Sequence, residues 1–383
     1  MTDLVVLACM MAWIYLICAR GRFWMGPVRD SAALPVGPEK WPRVAVVIPA
    51  RDEAEFIAAS IGSLLQQDYR GALSIVVVDD DSSDDTAALA KRAALGLGEG
   101  RDVAVVAGHG PPAGWTGKLW ALEQGIAVAE TQAPDYLLLT DADIVHAPDT
   151  VTWLVAQAAS GGFVLTSLMA KLRCVSLAER SLVPAFVYFF QLIFPFTWVC
   201  RPHARTAAAA GGCMLVRADA LRRAGGIACV RNALIDDCSL AARLKQVGPI
   251  WLGLTERVRS LRAYATFADL ERMISRTAYA QLRYSALLLA ATVAGMALTF
   301  LAPPLLVLLG PALPRQLGLA IWLAMAVSLQ PTLRLYRRSP LWGAGLPIIA
   351  LLYSCYTIKS AYQHLRRRGG QWKGRVHVNA SSL

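Results

Sequence analysis

Clustered cysteine is the first thing this 383-residue chain lacks. Its eight cysteines are Cys9, Cys18, Cys174, Cys200, Cys213, Cys229, Cys238 and Cys355, with no C-x-x-C pair and no zinc-ligand spacing. That excludes a disulfide framework and a zinc module, and it suits thiols kept in a reducing cytoplasm. Charge is scarce as well. Only 17% of residues are charged against 56% hydrophobic, too apolar for an ordinary soluble domain of this length. Acids are outnumbered 27 to 38, for a net charge of +11. The surplus bases do not form a nucleic-acid face. They sit beside apolar runs, at Arg20 and Arg22, Arg334–Arg338 and Arg366–Arg368, where anionic lipid headgroups are the simpler partner. Tandem repeats and long disordered segments are also missing.

What is present begins with the apolar runs. Leu4–Ala19 carries no charge, and Arg20 and Arg22 follow at once. Asp3 precedes the run and no small-x-small site closes it, so it reads as a signal anchor rather than a cleaved leader. The positive-inside bias then puts the chain after Arg20 in the cytoplasm. Ser285–Gly310, Leu317–Leu333 and Leu341–Ile358 are three further candidate spans. They carry essentially no charge, which speaks against a transporter. Leu182–Cys200 is broken by Pro184 and Pro195 and reads as an interfacial or buried helix; Arg201, His203 and Arg205 after it suit lipid headgroups or a lipid-linked phosphate. The expected division is an anchor over 1–20, a linker over 21–42, a catalytic α/β domain over 43–284, transmembrane or interfacial helices over 285–361 and a basic cytoplasmic tail over 362–383. The expected location is the cell inner membrane, multi-pass, with the catalytic domain in the cytoplasm. Three C-terminal spans would leave the tail outside, yet Arg366–Arg368, Lys373 and Arg375 belong inside. One span must then be re-entrant, and Leu341–Ile358, with Gly343, Gly345 and Pro347 near its start, is the candidate.

The chemistry lies between the runs. Tyr136–Thr140 is a short apolar strand that ends in Asp141 and Asp143. Residues two apart on an extended chain point to one side, so the two carboxylates can converge. Two hard oxygen donors suit Mg²⁺ or Mn²⁺, which in turn would hold a diphosphate. Two upstream strands end alike: Arg43–Ile48 leads to Pro49, Arg51, Asp52 and Glu53, and Leu73–Val78 leads to Asp79, Asp80 and Asp81. Each is followed by a helical pattern, the first with Ile57, Ile61, Leu64 and Leu65 on one face. Alternation of this kind predicts a mostly parallel, doubly wound sheet with its ligands beyond the strands' carboxyl ends. Gly114–Gly125 adds a loop from which Lys118 opens a helix, a good place to meet phosphate. Asp236 and Asp237 stand at the start of another helical run. One acid suffices as a cap, worth only about 1 kcal/mol, which leaves the other free.

This ordered set resembles the family 2 glycosyltransferases: Pro49–Glu53, Val78–Ser83, Trp115–Lys118, Thr140–Asp143, Gly211–Arg217 and Ile235–Asp237. The layout of anchor and hydrophobic C-terminal third is most similar to their hopene-associated branch. The resemblance implies a GT-A fold, a Rossmann-like α/β domain, and inverting transfer from a nucleotide-diphospho-sugar, expected to be a UDP-sugar. It implies that Pro49, Glu53 and Asp80 bind the nucleotide, with Asp79 the alternative to Asp80, and that Lys118 lies near it. Asp141 and Asp143 would hold the metal with the donor's diphosphate and sugar. Asp237 would be the base, with Asp236 the alternative. Family members that polymerise carry Gln-x-x-Arg-Trp. Here Gln281, Arg283 and Tyr284 stand in its place and would bind the donor, but the motif is one residue short and lacks the tryptophan, which implies a single transfer. Trp372 and Arg375 match a tail motif of related lipid glycosyltransferases and would reach the ligand. The implied acceptor is a hopanoid or other isoprenoid lipid. A nucleotide-sugar-binding scaffold without activity and a nucleotidyltransferase are the alternatives.

Overall fold

The computed structural model describes residues 2–31, 33–96 and 101–366, and the backbone of two short strands at 371–372 and 375–376. The chain forms two compact units. An α/β unit is built chiefly from Val28–Arg173 and Trp198–Arg262, and a helical unit from Met1–Pro27, Cys174–Thr197 and Ala263–Gln371. Residues 263–284, grouped by sequence with the α/β domain, thus pack among the helices.

The α/β unit is organised by one eight-stranded sheet. Its strands are β1 (Val44–Ala50), β2 (Leu73–Asp79), β3 (Asp102–Ala107), β4 (Tyr136–Thr140), β5 (Ile144–His146), β6 (Leu165–Lys171), β7 (Cys213–Arg217) and β8 (Ile250–Ser260), in the order β3-β2-β1-β4-β7-β6-β8-β5. The first four run parallel. Every residue of β1 is buried, as expected of a strand covered on both faces. The Ile57–Leu65 helix buries Ile57, Ile61, Leu64 and Leu65, the face read from the sequence. The sheet is mostly parallel, as expected, since β6 and β8 also pair in parallel; the exceptions are β7, antiparallel to both β4 and β6, and β5, antiparallel to β8. The chain reaches β7 after a long excursion through the helical unit instead of a direct crossover helix, so nothing forces it to run parallel. Part of the 21–42 segment is bound to the sheet. Leu254 on β8 donates its N–H to Val28 at 3.0 Å and accepts from Asp30 N–H at 2.9 Å.

Among the described residues of the helical unit, four helices are long and apolar enough to cross a membrane: Thr2–Ala19, Ala286–Leu309, Ala312–Leu335 and Pro340–Leu365. Trp13 donates its indole N–H to Thr299 O at 2.8 Å and packs edge-on against Phe300. The Leu177–Ile193 helix, which holds much of the Leu182–Cys200 run, starts with a capping box between Ser176 and Glu179 and buries Leu182, Val183 and Tyr188. Tyr353 donates to its Leu182 carbonyl at 3.0 Å. The Phe267–Gln281 helix, capped by Thr266 and Asp269, is tied to the Leu346–Leu365 helix by a Glu271–Lys359 ion pair.

Candidate active site

The loops after β1 and β2 form one laced structure. Asp80 N–H donates to Ala50 O at 2.8 Å, Glu53 N–H to Thr86 Oγ1 at 2.7 Å, and Ser83 N–H to Asp52 Oδ1 at 2.7 Å. Asp52 and Asp81 take φ of 49° and 56°, the left-handed region that aspartate tolerates better than most side chains. Asp80 is fully buried, with an Arg51 nitrogen 3.8 Å from its carboxylate. Asp79 differs: its Oδ1 is buried without a hydrogen-bond partner among the described residues.

The helix carrying Lys118, Gly117–Glu130, lies close on β1 and β2 because residue 125 is glycine. A Cβ there would meet Val47 Cγ1 at 2.5 Å and Val78 Cγ2 at 2.8 Å. Thr116 caps the helix by accepting from Leu119 N–H. Lys118 is thereby brought to the sheet's carboxyl edge, where its Nζ lies 2.8 Å from Asp141 Oδ1 and 3.2 Å from Asp236 Oδ2. Burial alone would lower the Lys118 pKa, but Asp141, Asp236 and Asp237 outweigh it and hold the ammonium charged. Burial raises the Asp141 pKa; Lys118 opposes the rise and the Asp143 charge adds to it. Pro49, Lys118, Thr140, Asp141, Gly211 and Asp236 line one small pocket.

Asp236 and Asp237 open the Asp236–Lys245 helix, and Ile235 at its N-cap offers no side-chain cap. Asp237 instead accepts from Gly211 N–H at 3.0 Å through Oδ2 and from Cys238 N–H at 2.7 Å through Oδ1. Each carboxylate oxygen keeps a second lone pair. Burial and the adjacent Asp236 charge push the Asp237 pKa up to about 6, against the pull of Lys118. The two acids therefore divide their contacts, Asp236 on the lysine and Asp237 on backbone amides.

Asp143 and Glu53, 8% and 7% exposed, meet on a residue the sequence did not single out. Arg262 donates from Nε to Asp143 Oδ2 at 3.1 Å and from Nη2 to both Glu53 oxygens at 2.6 and 2.7 Å. Ser260 Oγ donates to the same Asp143 oxygen at 2.8 Å. A second overlooked group is Thr140. Its hydroxyl donates to Gly212 O at 2.7 Å and lies 3.1 Å from His146 Nε2, so it accepts that ring N–H. Burial pushes the His146 pKa down to about 4, which keeps the ring neutral, and its Nδ1 has no partner among the described residues. Thr140 thus ties the strand end that carries Asp141 to the Gly211–Gly212 segment that holds Asp237.

Asp141 engages Lys118 through Oδ1, and Asp143 engages Ser260 and Arg262 through Oδ2. The other oxygen of each has no hydrogen-bond partner among the described residues. Two such hard donors fit Mg²⁺ or Mn²⁺. No cluster of three or more His, Cys, Asp or Glu side chains suited to a metal occurs among the described residues, so the remaining ligands would have to come from diphosphate and water. Gln281, Arg283 and Tyr284 lie in the helical unit. Arg283 and Tyr284 take φ of 52° and 56° just after a helix end, and the Tyr284 ring stacks on His364 at 4.3 Å. Trp372 and Arg375 have side chains outside the described residues.

Residues 45–225 match the family model of Glycosyl transferase family 2. No curated protein matches. Among solved structures, a mannosyltransferase from Pyrobaculum calidifontis in complex with GDP-Man and Mn²⁺ is similar over 95% of this chain and 99% of its own, at 19% identity and a TM-score of 0.53. Glucosyl-3-phosphoglycerate synthase from Mycobacterium tuberculosis, in complex with Mn²⁺, UDP and glucosyl-3-phosphoglycerate, is similar over 67% of this chain and 87% of its own, at 18% identity and a TM-score of 0.42. The family match and the first likeness make the α/β unit GT-A-like, in a chain that also carries four long apolar helices.

Proposed function

We propose that this chain is a membrane-bound inverting glycosyltransferase that moves a single sugar from a nucleotide-diphospho-sugar, a UDP-sugar first among candidates, to a hydroxyl of a lipid of hopanoid or other isoprenoid type. The observation that carries this reading is the meeting of two separate acid pairs on Lys118, which touches Asp141 on one side and Asp236 on the other. A structural cap needs one acid; a donor site beside a base needs two sets.

On this reading the acceptor oxygen attacks the anomeric carbon in line as the bond to the diphosphate oxygen breaks, and Asp237 takes the acceptor's proton. Its raised pKa and its two backbone donors suit a group that is a carboxylate at neutral pH and is held in one orientation. Asp141 and Asp143 would hold Mg²⁺ or Mn²⁺, which when bound stabilises charge on the leaving diphosphate. Lys118 adds a fixed positive charge on the same side. The unpartnered Asp79 Oδ1 favours Asp79 over the enclosed Asp80 as the acceptor of a nucleoside N–H or O–H, since a buried bare oxygen is costly. The four apolar helices support membrane residence, with the α/β unit in the cytoplasm of an inner-membrane protein. The basic tail belongs on the same side, so a C-terminal reporter active only in the periplasm should stay silent; a signal from it would place the tail outside.

The test is nucleotide binding by the full chain in lipid nanodiscs, titrated with UDP- and GDP-sugars with and without EDTA. Tight, selective binding of one nucleotide that EDTA weakens is expected. Absence of binding to any of them, or binding indifferent to EDTA, would refute the donor assignment or the metal respectively.

A further inference from the structure

Arg262 closes the α/β unit two residues beyond the end of β8. Its guanidinium joins Glu53, from the loop after β1, to Asp143, from the end of β4, and lies 5.2 Å from the Phe56 ring centre. The attachment is doubled through the backbone, because Leu261 N–H donates to Asp143 O at 2.8 Å. The Arg262 side chain itself is 29% exposed, so a ligand can reach it while both of its carboxylates are nearly enclosed. On the other member of the D-x-D pair, Lys118 sits 2.8 Å from Asp141. Each carboxylate assigned to the metal therefore already carries a resident cation.

We propose that Arg262 is a cationic latch on Asp143, which makes divalent-metal binding depend on prior or simultaneous arrival of the donor's diphosphate. The inference rests on the reading of Asp143 as a metal-holding carboxylate. With Asp143 Oδ2 taken by a guanidinium and a hydroxyl, only Oδ1 is left for a bare dication, and the neighbouring guanidinium charge repels that ion at close range. A dication carried by a diphosphate arrives with anionic oxygens of its own. Those oxygens offer the guanidinium and the ammonium new partners of the kind both bind well. The latch thus selects the metal–nucleotide pair over the metal alone, and it keeps Glu53 and Asp143 in place until the pair arrives. An ion pair with a purely structural role makes the opposite forecast: its removal would loosen the loop and weaken every ligand.

The experiment measures Mn²⁺ binding to the full chain in nanodiscs by electron paramagnetic resonance of the free ion. Wild type, Arg262→Gln and Arg262→Lys are compared with no nucleotide, with UDP and with GDP. In wild type, the nucleotide that binds should tighten Mn²⁺ by about tenfold or more; in Arg262→Gln, Mn²⁺ alone should bind about tenfold tighter than in wild type, a fraction of what a buried charge pair is worth. Arg262→Lys, which keeps the charge and loses the fork, should fall between. Folded Arg262→Gln that binds Mn²⁺ alone no better than wild type overturns the latch. So does wild type that binds Mn²⁺ equally well with and without nucleotide, a result that stands even if the glutamine variant fails to fold. If neither UDP nor GDP binds, the proposed donor is at fault, and the metal-alone comparison of wild type with its variants still decides the latch.

Discussion

Leucines on the central strands of the α/β unit and leucines along the long apolar helices face opposite surroundings. Leu137 and Leu138 on β4 are fully buried, while Leu4 and Leu308 in the helical unit are each 70% exposed and Leu309 and Leu341 reach 81% and 83%. The apolar side chains of the central strands turn inward, and acids follow at the strand ends. Many of those on the four long helices turn outward, and the polar contacts that hold these helices, such as Trp13 to Thr299 and Tyr353 to Leu182, lie inside. On the proposed reading, one sequence alphabet is sorted against two solvents. In water the exposed leucines would be a liability; in hydrocarbon they are the favourable surface. The difference teaches where chemistry can be placed: a charged reaction centre belongs to the unit that buries its apolar residues, and the other unit has helices long and apolar enough for residence in lipid.

That contrast can be broken on either side. The largest effect is expected at Asp237, where asparagine keeps the shape but accepts no proton. Turnover should fall about 10²-fold or more, the loss typical of a general base, with nucleotide binding within a few-fold of wild type. If Asp236→Asn is the damaging change and Asp237→Asn is mild, the two roles are exchanged. The sign of the pH dependence follows from the raised pKa. Asp237 must be ionised to act, so wild-type transfer should fall as pH drops through about 6, and the residual rate of Asp237→Asn should lack that limb. A profile flat down to the ordinary carboxylate range would remove Asp237 from the role of base.

On the other side, Leu323 is 58% exposed on the Ala312–Leu335 helix. Leu323→Asp should cost about 2.5–3.5 kcal/mol of membrane insertion and reduce the protein recovered in membranes several-fold. Were this face in water, the same change would be neutral or would improve solubility. Fractionation of membranes against cytosol distinguishes the two.

Much of the sheet and part of the site were legible because short-range patterns carry them. Asp141, Asp143, Glu53 and Asp79 each end an apolar run, and Lys118 follows a glycine-containing loop, so topology alone sends them to one edge. Arg262, Ser260 and His146 have no such signature. Arg262 follows a strand of mixed pattern, and its partners Glu53 and Asp143 lie far away in sequence; they meet because β8 joins the sheet between β6 and β5. Thr140 was read as the last residue of a strand, and nothing in its neighbours announces a bond to Gly212. The antiparallel β7 was hidden for a related reason, since direction depends on the path of the intervening chain and not on the strand's own residues. Tyr284 was singled out by its place in a motif, and nothing in that motif announces that its ring stacks on His364 within the helical unit.

The central claim, that the carboxylate edge of the α/β unit transfers a sugar to a lipid, is tested most directly by following the sugar. Full-length protein in nanodiscs is given the labelled nucleotide-sugar it binds, Mg²⁺ and a lipid extract, and the reaction is partitioned between organic solvent and water. Label is expected in the organic phase as a singly glycosylated lipid, lost on chelation and reduced about 10²-fold or more by Asp237→Asn. Label that stays in water as free sugar, passes efficiently to a soluble oligosaccharide, or reaches the lipid equally well with Asp237→Asn would contradict the account.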